Sequence, residues 1–304
     1  MNWKQTLFWS FSAAAIFYYF LLFGVFVFVG QEEMQLFIPE WWYIREFLFQ
    51  PGGFCAVAGQ WIIQYYRQPM SAVVFHTVLL VGCGFMVYRI LRCFSDKPYL
   101  LFLSLLPVLY LVKMSIHGEY LVDGTVGVVL MLLALSVSLK VRRAGSIAGY
   151  GIASTLFLCG LTGLLSVCYA FLYTLLALLR YKTSRQRLAA SACLIPALFI
   201  YLFSGWLGIP VPLSDGWMPE AYLEIQRLPH YYMYRVWTFF TLSIVGVALF
   251  ARFVPVIGEK SKWRDRVALV VCLITVLVSI RFCLPEPWHA QRMMLDELSF
   301  LARE

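Results

Sequence analysis

Charge is what this sequence has least of. Only 13% of its 304 residues are Asp, Glu, Lys or Arg, about half the usual share in soluble domains. Acids are the scarcer sign, 16 against 24 basic residues. There is no phosphate loop, no HExxH, no Ser-His-Asp order and no CxxC, so no standard nucleotide, zinc-hydrolase, triad or thiol-redox signature is present. The eight cysteines scatter at 55, 83, 93, 159, 168, 193, 272 and 283. None has metal-ligand spacing, and most sit in apolar runs, so they read as small core hydrophobes. No small-x-small cleavage site follows the first apolar run: Phe28, Val29, Gly30 and Gln31 lead straight into Glu32. That run therefore reads as a retained span. No internal repeat or heptad stands out. The net charge of +8 does not indicate nucleic acid, because the basic residues fall in alternate connectors rather than in one patch.

What is abundant is apolar. Hydrophobic residues make up 62% and aromatics 17%, and the mean hydropathy is +0.77. The fold class expected is all-α: a polytopic transmembrane helix bundle of about nine spans, at about 20 apolar residues each. The spans fall at about 7–29, 71–91, 98–116, 125–139, 146–160, 163–179, 188–207, 236–254 and 267–284. A first outer loop fills 30–70, and the transmembrane domain ends near 284. The fifth and sixth spans come from one argument. Ser146 to Leu179 carries no charge and as one helix would be about 50 Å long, against a hydrocarbon core of about 30 Å. A turn is expected near Gly160–Gly163.

Charge counting gives the orientation. The N-terminus and the connectors after spans two, four, six and eight hold 16 Lys and Arg but only Asp96, Glu259 and Asp265 as acids. The other side keeps 8 basic residues and 13 acids. The N-terminus is therefore expected inside, and the 285–304 tail outside. The expected localisation is a bacterial inner membrane. The helical spacing of Met294, Leu295, Leu298 and Leu301 reads either as the start of a periplasmic helical-repeat region or as an amphipathic end on the membrane surface.

Three outer segments carry the candidate chemistry. In the first, Glu32 and Glu33 stand just beyond span one, where a carboxylate can act as a general base or hold a divalent cation; the plainer reading is that they mark the outer side. Trp41 to Phe49 reads as an interfacial helix, ended by Pro51-Gly52-Gly53. Gln60, Gln64, Arg67 and Gln68 then share one helical face, which lines a hydrated groove or faces the headgroups. The second segment is the turn after span three, with Lys113, His117, Glu119 and Asp123; Lys113 either snorkels or contacts an anionic headgroup. The third is Arg227 to Trp237, where Arg227, His230 and Arg235 among tyrosines suit a phosphate carrying a sugar or lipid. An aromatic belt with snorkelling arginines explains it equally.

EEMQLF (Glu32 to Phe37), FQPGGFCAV (Phe49 to Val57) and the Gln60/Gln64 helix together resemble a family of Bacteroidota inner-membrane proteins of unknown function. That resemblance implies a periplasmic, tetratricopeptide-like continuation and no known catalytic residue. A looser, architectural similarity is to GT-C type membrane glycosyltransferases using lipid-phosphate sugar donors. It implies a catalytic or metal-binding acid just after span one, here Glu32 or Glu33, and a second outer acid, Glu119 or Asp123. The functions expected are an anchor or assembly and binding component at the outer face, or a GT-C-like transferase with a polyprenyl-phosphate-linked donor and a divalent cation, or a transporter or flippase. The partners expected are membrane lipids, a polyprenyl-phosphate-linked substrate and a periplasmic protein.

Overall fold

The first helix shows the logic of the whole chain. α1 (Trp3–Phe23) buries Trp9, Ser12, Ile16 and Phe20 as one stripe. Its opposite face leaves Leu7, Phe11, Tyr18 and Leu22 exposed on the protein surface. A helix apolar on both faces has no wet side, which is the pattern of a membrane span or a deeply buried helix. The computed structural model describes residues 3–34, 37–116, 120, 122–163, 165–203 and 231–253. Every element among them is helical.

After a turn at Gly24, α2 (Val25–Met34) continues α1, and the backbone bonds from Gly24 to Phe20 and from Phe28 to Gly24 bridge the junction. Together they run about 48 Å at 1.5 Å per residue, longer than a hydrocarbon core of about 30 Å. α3 (Trp41–Leu48) buries none of its residues. α4 (Gly53–Ile63) follows, then a 3₁₀ turn (Gln64–Arg67) and α5 (Pro69–Leu91), with Pro at its first position where no amide bond is lost. α6 (Leu100–Leu103) and α7 (Leu105–Met114) make one bent apolar stretch. α8 (Val122–Ser138), α9 (Ala144–Thr162), α10 (Leu165–Arg180), α11 (Ser184–Ser191), α12 (Leu194–Leu202) and α13 (Tyr231–Phe253) complete the described chain. Among the described residues three helices are long and apolar enough to cross a membrane: α1, α5 and α9. The α6–α7 stretch, α8, α10 and the middle of α13 are apolar but shorter.

α5 and α8 form the centre. Val73, Leu80, Cys83 and Val87 of α5 are buried, as are Val128, Met131, Leu132 and Leu135 of α8. α1 packs on α5, and α9 and α10 pack beside α8, while α13 packs on α7 and α10. The uncharged 146–179 stretch does turn: α9 ends at Thr162, and Gly163 sits at φ +60, a region that favours glycine.

Hydrogen bonds between connectors give the bundle two distinct ends. At one, Tyr181 Oη donates to the Val141 carbonyl at 2.7 Å, Gln186 Nε2 to the Arg142 carbonyl at 2.7 Å and Arg180 Nη1 to the Cys93 carbonyl at 3.4 Å. Gln5 Nε2 donates to Tyr88 Oη there at 2.8 Å. The basic connectors 92–97, 140–143 and 180–187 thus meet beside the start of α1. At the other end, the Gly52 amide donates to the Gly160 carbonyl at 3.1 Å, docking the Pro51-Gly52-Gly53 loop on the α9–α10 turn.

α4, too short and too polar to span and so expected to lie in the interface or dip into the protein, lies against the bundle. It packs against α8 and α9 and buries Gly53, Cys55, Ala56, Gly59, Ile62 and Ile63. Four of those six are Gly, Ala or Cys, and small side chains let helix backbones approach closely where no hydrophobic drive separates lipid from protein. The 267–284 span and the 285–304 tail lie outside the described residues.

Candidate functional site

The wedge formed by α4 covers a buried polar cluster at the end of the bundle opposite the basic connectors. Its acid is Asp123, in the first turn of α8 and only 1% exposed. A carboxylate there is favoured by the helix N-terminus. Gly59 of α4 lies directly on it: a Cβ at Gly59 would come 1.5 Å from Asp123 Oδ1 and 3.0 Å from its Cα. Asp123 also acts electrostatically on Cys55, Tyr66 and Tyr120. Burial pushes the Tyr66 phenol and the Cys55 thiol well above their ordinary ranges, and the Asp123 charge adds to both shifts. Neither ionises at physiological pH.

Tyr66 links this acid to the second half of the cluster. Its Oη and His76 Nε2 share a hydrogen bond of 2.7 Å. His76 is fully buried in α5 and stacks on Phe28, with ring centroids 4.2 Å apart and planes 11° apart. Phe20 and Tyr66 complete its ring neighbours at 5.5 Å each. Three residues beyond Phe28 on α2, the buried Gln31 donates from Nε2 to the Tyr120 carbonyl at 2.9 Å. Thr125 Oγ1 donates to Tyr120 Oη at 3.3 Å. Side-chain hydrogen bonds thus tie the end of α2 to Tyr120 just ahead of α8 and the 3₁₀ turn to α5, and the Gly59–Asp123 contact seats α4 on α8.

The expected site residues divide in three. Glu32 is half-buried on α2, next to Gln31, so its backbone stands beside the Tyr120 tie. Gln60 Oε1 accepts from Tyr43 Oη at 3.0 Å, and Gln64 Nε2 donates to the Phe37 carbonyl at 2.8 Å. These two glutamines pin the 37–43 segment over α4. Lys113 is half-buried at the end of α7. Glu33 and Arg235 lie within described helices, but their side chains fall outside the described residues, as do His117, Glu119, Arg227 and His230 altogether. The structure thus brings the Glu32 region and Asp123 to one end, and says nothing of the arginine segment.

Gln31, Tyr66, His76 and the Gly59–Asp123 contact were not singled out from sequence. A His within an apolar span is itself a signal, because ionisable groups at membrane depth are costly and persist only with partners. Chemically, the cluster is bonded inward and packed tight. Among the described residues no three His, Cys, Asp or Glu are grouped to hold a metal.

Among the described residues the chain is an all-helical bundle in which three helices are long and apolar enough to cross a membrane, with a polar latch under a wedged helix. The chain belongs to a family of unknown function, DUF6057, whose model matches residues 1–301. No curated protein and no solved structure matches it.

Proposed function

We propose that the chain is a multi-pass inner-membrane protein of about nine spans, N-terminus inside, whose outer end is a closed platform that anchors or binds a partner at the outer face. The observation that carries this is the Gly59–Asp123 interlock. It fills the space under α4 with a carboxylate and leaves the outer loop held as a rigid cap rather than a mobile lid. Support for the orientation comes from the end-to-end sorting of connectors. Connectors 92–97, 140–143 and 180–187 meet at one end with their lysines and arginines, as a positive-inside arrangement requires. On the outer cap, Trp41, Trp42, Phe49, Trp61 and Tyr65 are exposed, the composition of an interfacial aromatic belt. The partner is a periplasmic protein.

A GT-C-like transferase is the second reading, favoured by the 2.9 Å bond from Gln31 to Tyr120. That bond holds the α2 segment carrying Glu32 at the same end of the bundle as Asp123, which with Glu119 is a candidate for the second outer acid. In that reading Glu32 or Glu33 is base or ligand to a divalent cation, and Arg227, His230 and Arg235 hold a polyprenyl-phosphate donor. Complementation of a deletion strain separates the two. A platform retains full function with Glu32→Ala and Glu33→Ala combined and loses it when residues 285–304 are removed. A transferase loses at least about 100-fold in activity with the double variant, the usual scale for a general base. Loss of complementation by the double variant at unchanged protein level sinks the platform reading.

A further inference from the structure

The basic end of the bundle carries a cleft that the platform reading does not use. It has a volume of about 500 Å³ and is lined by Leu178, Ser184, Arg185, Arg187, Leu188 and Ser191. It lies where α10 gives way to α11. Thr183 caps α11, its Oγ1 accepting from the Gln186 amide at 3.4 Å. Arg187 Nε donates to the Tyr181 carbonyl at 2.8 Å, which fixes the guanidinium at the lip. Gln186 is held at the same time on the Arg142 carbonyl, so the α10–α11 corner is anchored from two sides.

The charge around the cleft is of one sign. Residues 180–187 hold Arg180, Lys182, Arg185 and Arg187 and no acid. In the three basic connectors the one acid is Asp96, paired with Arg92 at 3.2 Å. Beside the arginines two apolar side chains stand out from the protein: Leu188 is 75% exposed and Leu178 43% exposed. Arginines at one rim and exposed leucines beside them match a molecule with a phosphate at one end and hydrocarbon at the other. Arg is suited to phosphate by its forked donors. Basic pockets at the cytoplasmic ends of spans are the usual seat of anionic headgroups.

We infer that this cleft binds an anionic phospholipid of the inner leaflet, its phosphate on Arg185 and Arg187 and its chains along Leu178 and Leu188. The inference rests on the membrane-spanning reading above. It is independent of whether the outer end is a platform or an enzyme.

The test is native mass spectrometry of the full chain in detergent, after incubation with phosphatidylglycerol and phosphatidylcholine of identical acyl chains. The parent protein retains phosphatidylglycerol over phosphatidylcholine by about tenfold to thirtyfold, the scale set by two cations at a membrane surface. Arg185→Gln with Arg187→Gln abolishes that preference. Arg185→Lys with Arg187→Lys keeps most of it, and Arg142→Gln with Arg143→Gln leaves it in place. Equal retention of both lipids by the parent overturns the inference, as does an unchanged preference in R185Q/R187Q. Displacement of the lipid by millimolar inorganic phosphate also overturns it, because it marks a site for a free anion. Pelleting of the parent with carbonate-washed membranes tests the spanning reading separately, so a protein that pellets but shows no lipid preference defeats this inference alone.

Discussion

Gly59→Ala is expected to lower the melting temperature of the purified protein by about 5–10 °C, followed by tryptophan fluorescence in detergent. The added Cβ lands 1.5 Å from Asp123 Oδ1 and 3.0 Å from the Asp123 Cα. The carboxylate can rotate away, but the α8 backbone cannot, so α4 and α8 separate along their shared contact. Overpacking costs typically about 1–3 kcal/mol, a contact this close to backbone falls at the upper end, and roughly 2–4 °C is lost per kcal/mol in a protein of this size class. The second-site control is specific. Asp123→Ala in the Gly59→Ala background removes the clashing carboxylate and recovers part of the loss. Asp123→Asn in the same background keeps the shape and recovers none. A Gly59→Ala protein as stable as the parent would mean that α4 is not wedged against α8.

His76→Ala is expected to have the other large effect, about 3–5 kcal/mol for truncating a fully buried aromatic ring. The ring is stacked on Phe28 at 4.2 Å, and its loss also strips Tyr66 Oη of its 2.7 Å partner inside the bundle. An unsatisfied buried hydroxyl costs about 1–3 kcal/mol, although the two losses do not simply add. His76→Phe separates them: it keeps the ring volume and removes only the bond. Tyr66→Phe does the same from the other side. With both phenylalanines present the total loss is expected to be about 1 kcal/mol smaller than the sum of the single losses. Additive losses would show that the Tyr66–His76 bond contributes nothing, and a His76→Ala protein melting within about 1 °C of the parent would remove the cluster from the account.

Much of the helix layout was legible, because span length and charge are local properties. The uncharged 146–179 stretch is too long for one span, and the break at Gly163 lies where that length argument puts a turn. Pro69 marks the start of α5, and Pro51-Gly52-Gly53 marks the corner between α3 and α4. What was not legible is contact between distant segments. Gly59 and Asp123 are far apart in the chain, and neither carries a spacing that announces the other. α4 reads as polar-striped because Gln60 and Gln64 share a face. Its burial is decided by Gly53, Cys55, Ala56 and Gly59, whose small size matters only once α8 is beside it. His76 hid for a different reason: one imidazole barely alters the hydropathy of an apolar span, while its packing between Phe20, Phe28 and Tyr66 depends on three other segments. Among the candidate site residues, Gln60 and Gln64 were visible as a pair, but their partners, Tyr43 and the Phe37 carbonyl, lie upstream in the same loop.

Sidedness is the claim on which both the platform and the lipid site depend. The most direct measurement uses a variant whose eight cysteines are replaced by serine or alanine, with one cysteine reintroduced at Glu46 on α3 or at Lys182 between α10 and α11, both exposed positions. Intact cells with a permeable outer envelope are treated with a membrane-impermeant maleimide, before and after the inner membrane is opened. The account predicts that Glu46→Cys labels in intact cells and Lys182→Cys labels only after opening. Labelling of both from the same side, or the reverse order, would contradict it.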